Sequence, residues 1–226
     1  MGDINQLLFV KTLAGSLAGP ILEVGSRDYG NTQNFRALFK GVEYLGIDMQ
    51  AGKGVDLVLD LTADFESLDS ALEGRRFGTI ICMSVLEHCS NPFKMAQNIE
   101  KLLAEGGILV VGVPFVWELH GFPDDYWRFT PSGIRVLFPN LDFTAYPGAA
   151  YSGRKGDSAP LDGNLFCIRF SSKNAETRRQ LGMIPANVIG LFKKAGWVKK
   201  LFGHRCVFPS VMVSMVGRKA PPAKGV

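Results

Sequence analysis

Apolar residues recur along this chain in two alternating rhythms. Short, nearly continuous apolar runs sit at 21–24, 42–47, 55–60, 78–83 and 107–113. Between them, stretches at about 31–40, 64–73 and 92–104 space their apolar side chains three and four residues apart. The first pattern predicts buried strands and the second amphipathic helices. Their alternation predicts βαβ units and a parallel sheet covered on both faces. Ile4, Leu7, Leu8 and Leu13 begin a leading helix over 4–18, which Gly19-Pro20 ends. The stretch at 92–104 is the best punctuated, with Asn91 as cap, Pro92 in the first turn and Gly106-Gly107 beyond its end. Thr130-Pro131 repeats the cap-then-proline signal for a helix to about Phe138, where Pro139-Asn140 breaks it. Further on the alternation loses regularity. Strands are predicted at 142–150, 164–170 and 209–217, with a Gly-, Ser- and Pro-containing loop at 152–163.

At 226 residues and 46% hydrophobic composition, the chain is long enough for one substantial core. The expected organisation is a core over 1–150, an insertion over 151–208, a last sheet strand at 209–218 and a frayed tail over 219–226. No apolar run reaches the roughly 18 residues of a membrane span. Lys11 interrupts the only hydrophobic stretch near the start, so no secretory leader is read there and a cytoplasmic location is expected. The cysteines at 82, 89, 167 and 206 form no CxxC pair, so neither a disulfide framework nor a metal site is predicted. Charge divides sharply along the chain. Residues 1–170 carry 14 Lys and Arg against 20 Asp and Glu, while 171–226 carry 11 against Glu176 alone. The basic part, with a basic amphipathic helix read at 186–202, fits an anionic neighbour: a phosphorylated acceptor, an anionic membrane surface, nucleic acid or the acidic core itself.

The chemistry concentrates where the strands end. Ile21-Leu22-Glu23-Val24-Gly25-Ser26 is an apolar strand with an acid near its close, followed by a turn in which Gly25 gives a ligand access to the backbone. Asp48 closes the second strand and Asp60 the third, so the three carboxylates converge on one edge of a parallel sheet. A nucleoside lying there would meet Asp48 at its ribose hydroxyls and Asp60 at its base amino group.

In this order and spacing, Glu23-Val24-Gly25, Gly46-Ile47-Asp48-Met49, Asp60-Leu61, Ile81 through His88 and Leu103 through Leu109 resemble the class I S-adenosylmethionine (SAM) dependent methyltransferases, in particular the methyltransferase type 11 group. The resemblance implies a Rossmann-like, seven-stranded, mostly parallel sheet with helices on both faces and an antiparallel last strand. It implies SAM as cofactor, with the turn after Glu23 (Gly25, Ser26, Arg27) around the methionine part, Asp48 on ribose, Met49 beside adenine, Asp60-Leu61 at the base and the backbone of Met83 and Ser84 as support. The chain departs from the family's glycine-rich turn at Arg27 and Tyr29, with Gly30 one step late, so a remodelled loop is expected in which Arg27 pairs with the cofactor carboxylate.

After the fourth strand, Glu87 and His88 are expected to orient the loop. The block His120-Gly121-Phe122-Pro123-Asp124-Asp125-Tyr126-Trp127-Arg128-Phe129-Thr130-Pro131 resembles one found in a subset of these methyltransferases, many of them in glycan or natural-product pathways. For a hydroxyl acceptor, His120 is the expected base, with Asp124 or Asp125 as partner or substitute. Phe115, Trp117, Tyr126 and Trp127 are expected to face the sulfonium, line an apolar pocket or pack in the core. The partner expected is therefore a small-molecule acceptor, phosphorylated or sugar-linked, with no nucleic acid, since no Asn-Pro-Pro-Tyr type motif follows the fourth strand. A nicotinamide dehydrogenase would need a GxGxxG turn that is absent. A SAM-binding relative or interaction protein without catalysis is the alternative left open.

Overall fold

The computed structural model describes residues 2–30, 32–121, 123–144 and 211–220, together with the backbone of four short strands between 150 and 207. The chain divides into two compact units, Met1–Leu161 with Val211–Val226, and Asp162–Ser210. Within the first, β1 (Ile21–Val24), β2 (Tyr44–Asp48), β3 (Leu57–Val58), β4 (Phe77–Met83) and β5 (Leu103–Val116) run parallel in the order β3-β2-β1-β4-β5. Three more short strands are β6 (Leu141–Asp142), β7 (Ala150–Ser152) and β8 (Ser158–Pro160). The last long strand, β11 (Val211–Lys219), lies antiparallel on β5, and β6 and β7 both pair antiparallel with β11. This is the expected mixed sheet, with the outer position shared by β6 and β7, and with β8 as an addition on β7. In the second unit, β9 (Ile168–Arg169) and β10 (Cys206–Val207) pair antiparallel.

Side chains alternate across each strand, and the two faces of the sheet carry separate cores. Leu22, Ile80, Cys82, Leu109 and Val111 face one side, packed under α3 (Pro92–Leu102) and α4 (Pro131–Leu137) through Ala96, Ile99, Leu102, Ile134 and Leu137. Ile21, Ile81, Met83, Ile108 and Val110 face the other, under Val10 of α1 (Ile4–Leu13) and Phe35. The remaining helix, α2 (Phe65–Ala71), adds Leu68 to the first core. Side chains such as Ile99 and Leu102, wholly buried, each hold roughly 2–5 kcal/mol against truncation to Ala.

The helix ends follow their caps. Asp3 and Gln6 form a reciprocal capping box on α1, and Asn91 Oδ1 accepts from Lys94 N ahead of Pro92 in α3. Thr130 accepts from Gly133 N at the start of α4. The leading helix stops at Leu13, and only a 3-10 turn, Ala14–Ser16, continues it.

Two expectations are corrected. The helix expected at 31–40 is only a 3-10 turn, Phe35–Leu38, because Asp28 holds Gly30 N and Thr32 in a turn, the cap falls as late as Asn34, and Gly41 takes positive φ just beyond the end. The strand expected at 55–60 shrinks to Leu57–Val58, since Asp60 Oδ1 accepts from Thr62 N and Oγ and turns the chain away. Of the strand expected at 142–150, Leu141–Asp142 and the start of β7 at Ala150 are seen. The amphipathic helix read at 186–202 and the tail from 221 lie outside the described residues, as do most of the loop at 152–163 and of the strand at 164–170. Among the described residues, no helix is long and apolar enough to cross a membrane.

Candidate active site

A cleft of about 440 Å³ opens at the carboxyl ends of β1, β2 and β4, the edge on which the strand-end acids converge. Its floor is apolar, from Val24, Ile47, Leu59, Leu61 and Met95. Gly25, Asp48, Met49, Asp60 and Ser84 line one half of it. Glu87, His88, Trp117, His120 and Tyr126 line the other.

The first half is built by the sheet. Gly25 N and Ser26 N both donate to Ile47 O, at 2.8 and 3.0 Å, locking the end of β1 to β2. Gly25 takes φ 72°, a conformation that favours glycine, as the turn begins. Asp48 and Asp60 each commit Oδ1 to the local turn, Asp48 accepting from Gln50 N at 2.9 Å and Asp60 from Thr62 N at 2.8 Å. The loop carrying Asp60 and Leu61 is pinned from beneath by buried Asn98, which donates to Leu61 O (2.8 Å) and Ala63 O (2.9 Å). Ser84, at the end of β4, is held at φ 53°, where non-glycine residues are strained by order 1 kcal/mol or more. Its amide donates to Gly112 O and its hydroxyl to Gln6 Oε1.

Glu23, Ser26, Arg27 and Met83, expected around the cofactor, are not among the lining residues. Glu23 is buried and accepts from the Tyr44 hydroxyl at 2.7 Å; burial pushes its carboxyl above the usual range. Ser26 is buried behind the turn against Gly46, where a Cβ would meet Ser26 Oγ at 2.7 Å. Met83 is buried in the sheet. Arg27 bonds to Gln50 Oε1 and stacks over the Tyr29 ring at 4.9 Å, so Tyr29 rather than Arg27 faces the cleft. The altered turn is held by Asp28, which accepts from Lys53, Gly30 N and Thr32; the Lys53 ammonium lowers its carboxyl to about 2.

The second half is built from loops. Tyr126 N and Trp127 N donate to Glu87 O, Trp127 Nε1 to Cys89 O and Phe129 N to Pro114 O, so the 120–130 block is tied to the chain after β4 and to β5. Asp125, its side chain 1% exposed, takes two bonds from Arg128 (2.5 and 2.6 Å) and one from His120 N (2.9 Å). The guanidinium holds the Asp125 carboxyl far below the usual range. Asp124 accepts from the Tyr126 hydroxyl, and its carbonyl takes the Nδ1 proton of His88 at 2.6 Å. Neither aspartate is among the lining residues; His120 is. Glu87 is 1% exposed, and its Oε2 has no hydrogen-bond partner among the described residues. Burial raises its carboxyl to about 7. Phe115 packs against the core, and Trp117 and Tyr126 face the cleft.

A family of methyltransferase domains matches residues 6–144, more than half of the chain and all of the cleft's elements except the amino-terminal residues and Met212. The chain belongs to this family. No curated protein matches it by sequence. Among solved structures it is similar to the 1,6-didemethyltoxoflavin-N1-methyltransferase of Burkholderia thailandensis, with TM-score 0.55 at 12% identity over 96% of this chain and 79% of that one. It is also similar to a methyltransferase from Thermobifida fusca (TM-score 0.52, 13% identity, 96% and 79%) and to the CurJ carbon methyltransferase (TM-score 0.51, 14% identity, 95% and 54%). These likenesses show the fold.

The protein is a class I SAM-dependent methyltransferase. Its cleft fits that cofactor on local chemistry. The methyltransferase offers a carboxylate oxygen on Asp48 for a diol, a carboxylate on Asp60 for a base amino group, and apolar lining from Ile47, Leu59 and Leu61. One further donor was missed in the sequence. Gln6, in α1, is 1% exposed and lines the cleft, and its Nε2 has no partner among the described residues. A glutamine inside an amphipathic helix carries no signal that separates a cap from a ligand.

Proposed function

We propose that this methyltransferase modifies a hydroxyl oxygen of a small acceptor, sugar-linked or of natural-product type and anionic. The carrying observation is the concentration of titratable groups at one end of the cleft, where His120, His88 and Glu87 lie together beside Trp117 and Tyr126. A hydroxyl, unlike a neutral amine, needs help in losing its proton before it attacks, so such a cluster suits an oxygen acceptor. The net charge of +10 over 171–226, from 11 Lys and Arg less Glu176, supports an anionic acceptor.

Gly25, Asp48, Met49, Asp60, Leu61 and Ser84, with Gln6 as an added donor, would hold SAM, which would supply an electrophilic methyl group. Everything else falls to the chain's own residues. Holding acceptor and donor in line supplies much of the rate, and the loop tied down by Asp125 and Arg128 provides it. His120 activates the hydroxyl; Asp125 positions it through the His120 amide, and Asp124 stands beside Tyr126 as the neighbouring carboxylate. The test is a screen of phosphorylated and nucleotide-linked sugars for release of S-adenosylhomocysteine and for a methylated product. His120→Ala is expected to lower kcat by about 100-fold or more on the acceptor found. Full turnover by that variant, or preference for amine acceptors, would refute the reading.

A further inference from the structure

Glu87, His88 and His120 come from two loops, and one ligand atom from each lies within 4.8 Å of the others. His88 Nε2 stands 4.0 Å from Glu87 Oε1, and the two imidazole rings meet edge to face at 4.9 Å. Metal-binding histidines characteristically anchor the ring nitrogen that does not face the ion on a carbonyl or carboxylate. Both rings show that pattern. His88 Nδ1 donates to Asp124 O at 2.6 Å, and His120 Nδ1 lies 3.1 Å from Glu118 O and 3.3 Å from Asp125 Oδ2. Asp125 is itself fixed by Arg128. Independently, Glu87 lines the cleft and keeps its Oε2 buried with no hydrogen-bond partner among the described residues, at a cost that an ion on the carboxylate would offset. The sequence offered no metal reading, because the histidines fall in different loops and no short ligand spacing links them.

We infer that Glu87, His88 and His120 form a site for a divalent first-row transition ion at the acceptor end of the cleft. Two imidazoles and one carboxylate leave coordination positions open, the arrangement of a catalytic rather than a structural site. Resting on the hydroxyl reading above, the ion would take the acceptor oxygen into an open position and lower its pKa, the released proton going to water. His120 then activates the acceptor through the ion.

The untagged chain, stripped by chelation, would be titrated with Co²⁺ and followed by its visible absorption, then challenged with Zn²⁺. One ion per chain is expected, with absorption of a site containing nitrogen ligands, displaced by Zn²⁺. Glu87→Gln and His120→Ala should each weaken binding by at least 10-fold, while both variants still unfold in one cooperative transition and S-adenosylhomocysteine affinity stays as in the parent. Glu87→Gln keeps the shape of a buried side chain, so its folding serves as the control. Co²⁺ binding that is absent, or equal in all three proteins, would overturn the site. If S-adenosylhomocysteine still binds in that case, the cofactor reading survives and only the metal falls.

Discussion

The two halves of the cleft are held in place by different physics. On the cofactor side, the period of a parallel sheet delivers Gly25, Asp48 and Asp60 to one edge, each at the end of a strand whose position is fixed by its neighbours. On the acceptor side, position depends on a few hydrogen bonds and one ion pair between loops: Tyr126 N on Glu87 O, His88 on Asp124 O, and Arg128 on Asp125. The first half rests on the pairing of a whole sheet; the second holds charges out of water on a few contacts.

The sharpest break in that comparison is at Glu87. Its carboxyl is raised by burial from 4.5 to about 7, so its contribution to stability is fully present below the unfolded value and is lost as pH rises through about 7. In the metal-free protein, Glu87→Gln should be more stable than the parent by up to about 3 kcal/mol at pH 8 and indistinguishable near pH 4, as read from denaturant melts. Asp125→Ala comes next. It strands Arg128, whose side chain is 27% exposed, and should cost about 2 kcal/mol while cofactor affinity changes less than about twofold. Asn98→Ala acts on the other half. Loss of the bonds to Leu61 O and Ala63 O should cost about 1–2 kcal/mol and weaken S-adenosylhomocysteine binding several-fold, as Asp60 loses its support.

The same division decides what could be read in the sequence. The parallel sheet and its strand-end acids follow from hydrophobic period and from turns, which are local, while the antiparallel last strand was implied only by the family resemblance. Even where an element shrank, as at Leu57–Val58, the acid that ends it was placed at the right edge. Side-chain direction was harder. Glu23 pairs with Gly46, two residues before Asp48 on the neighbouring strand, yet Glu23 turns to the Tyr44 hydroxyl and Asp48 to the cleft. Arg27 is drawn off by Gln50 and Tyr29, and Asp28 staples the altered turn, choices that depend on Gln50 and Lys53, both distant in sequence. The cluster of Glu87, His88 and His120 and the ion pair that supports it arise from loop packing, which no periodicity records.

The central claim is that the strand-end carboxylates hold a nucleoside cofactor, and calorimetric titration of S-adenosylhomocysteine into the parent and Asp48→Ala proteins tests it most directly. The account predicts saturable one-site binding by the parent, weakened by about 10- to 100-fold in the variant, with unchanged melting of the ligand-free proteins. Equal affinity in both proteins, or no binding to the folded parent, would contradict it.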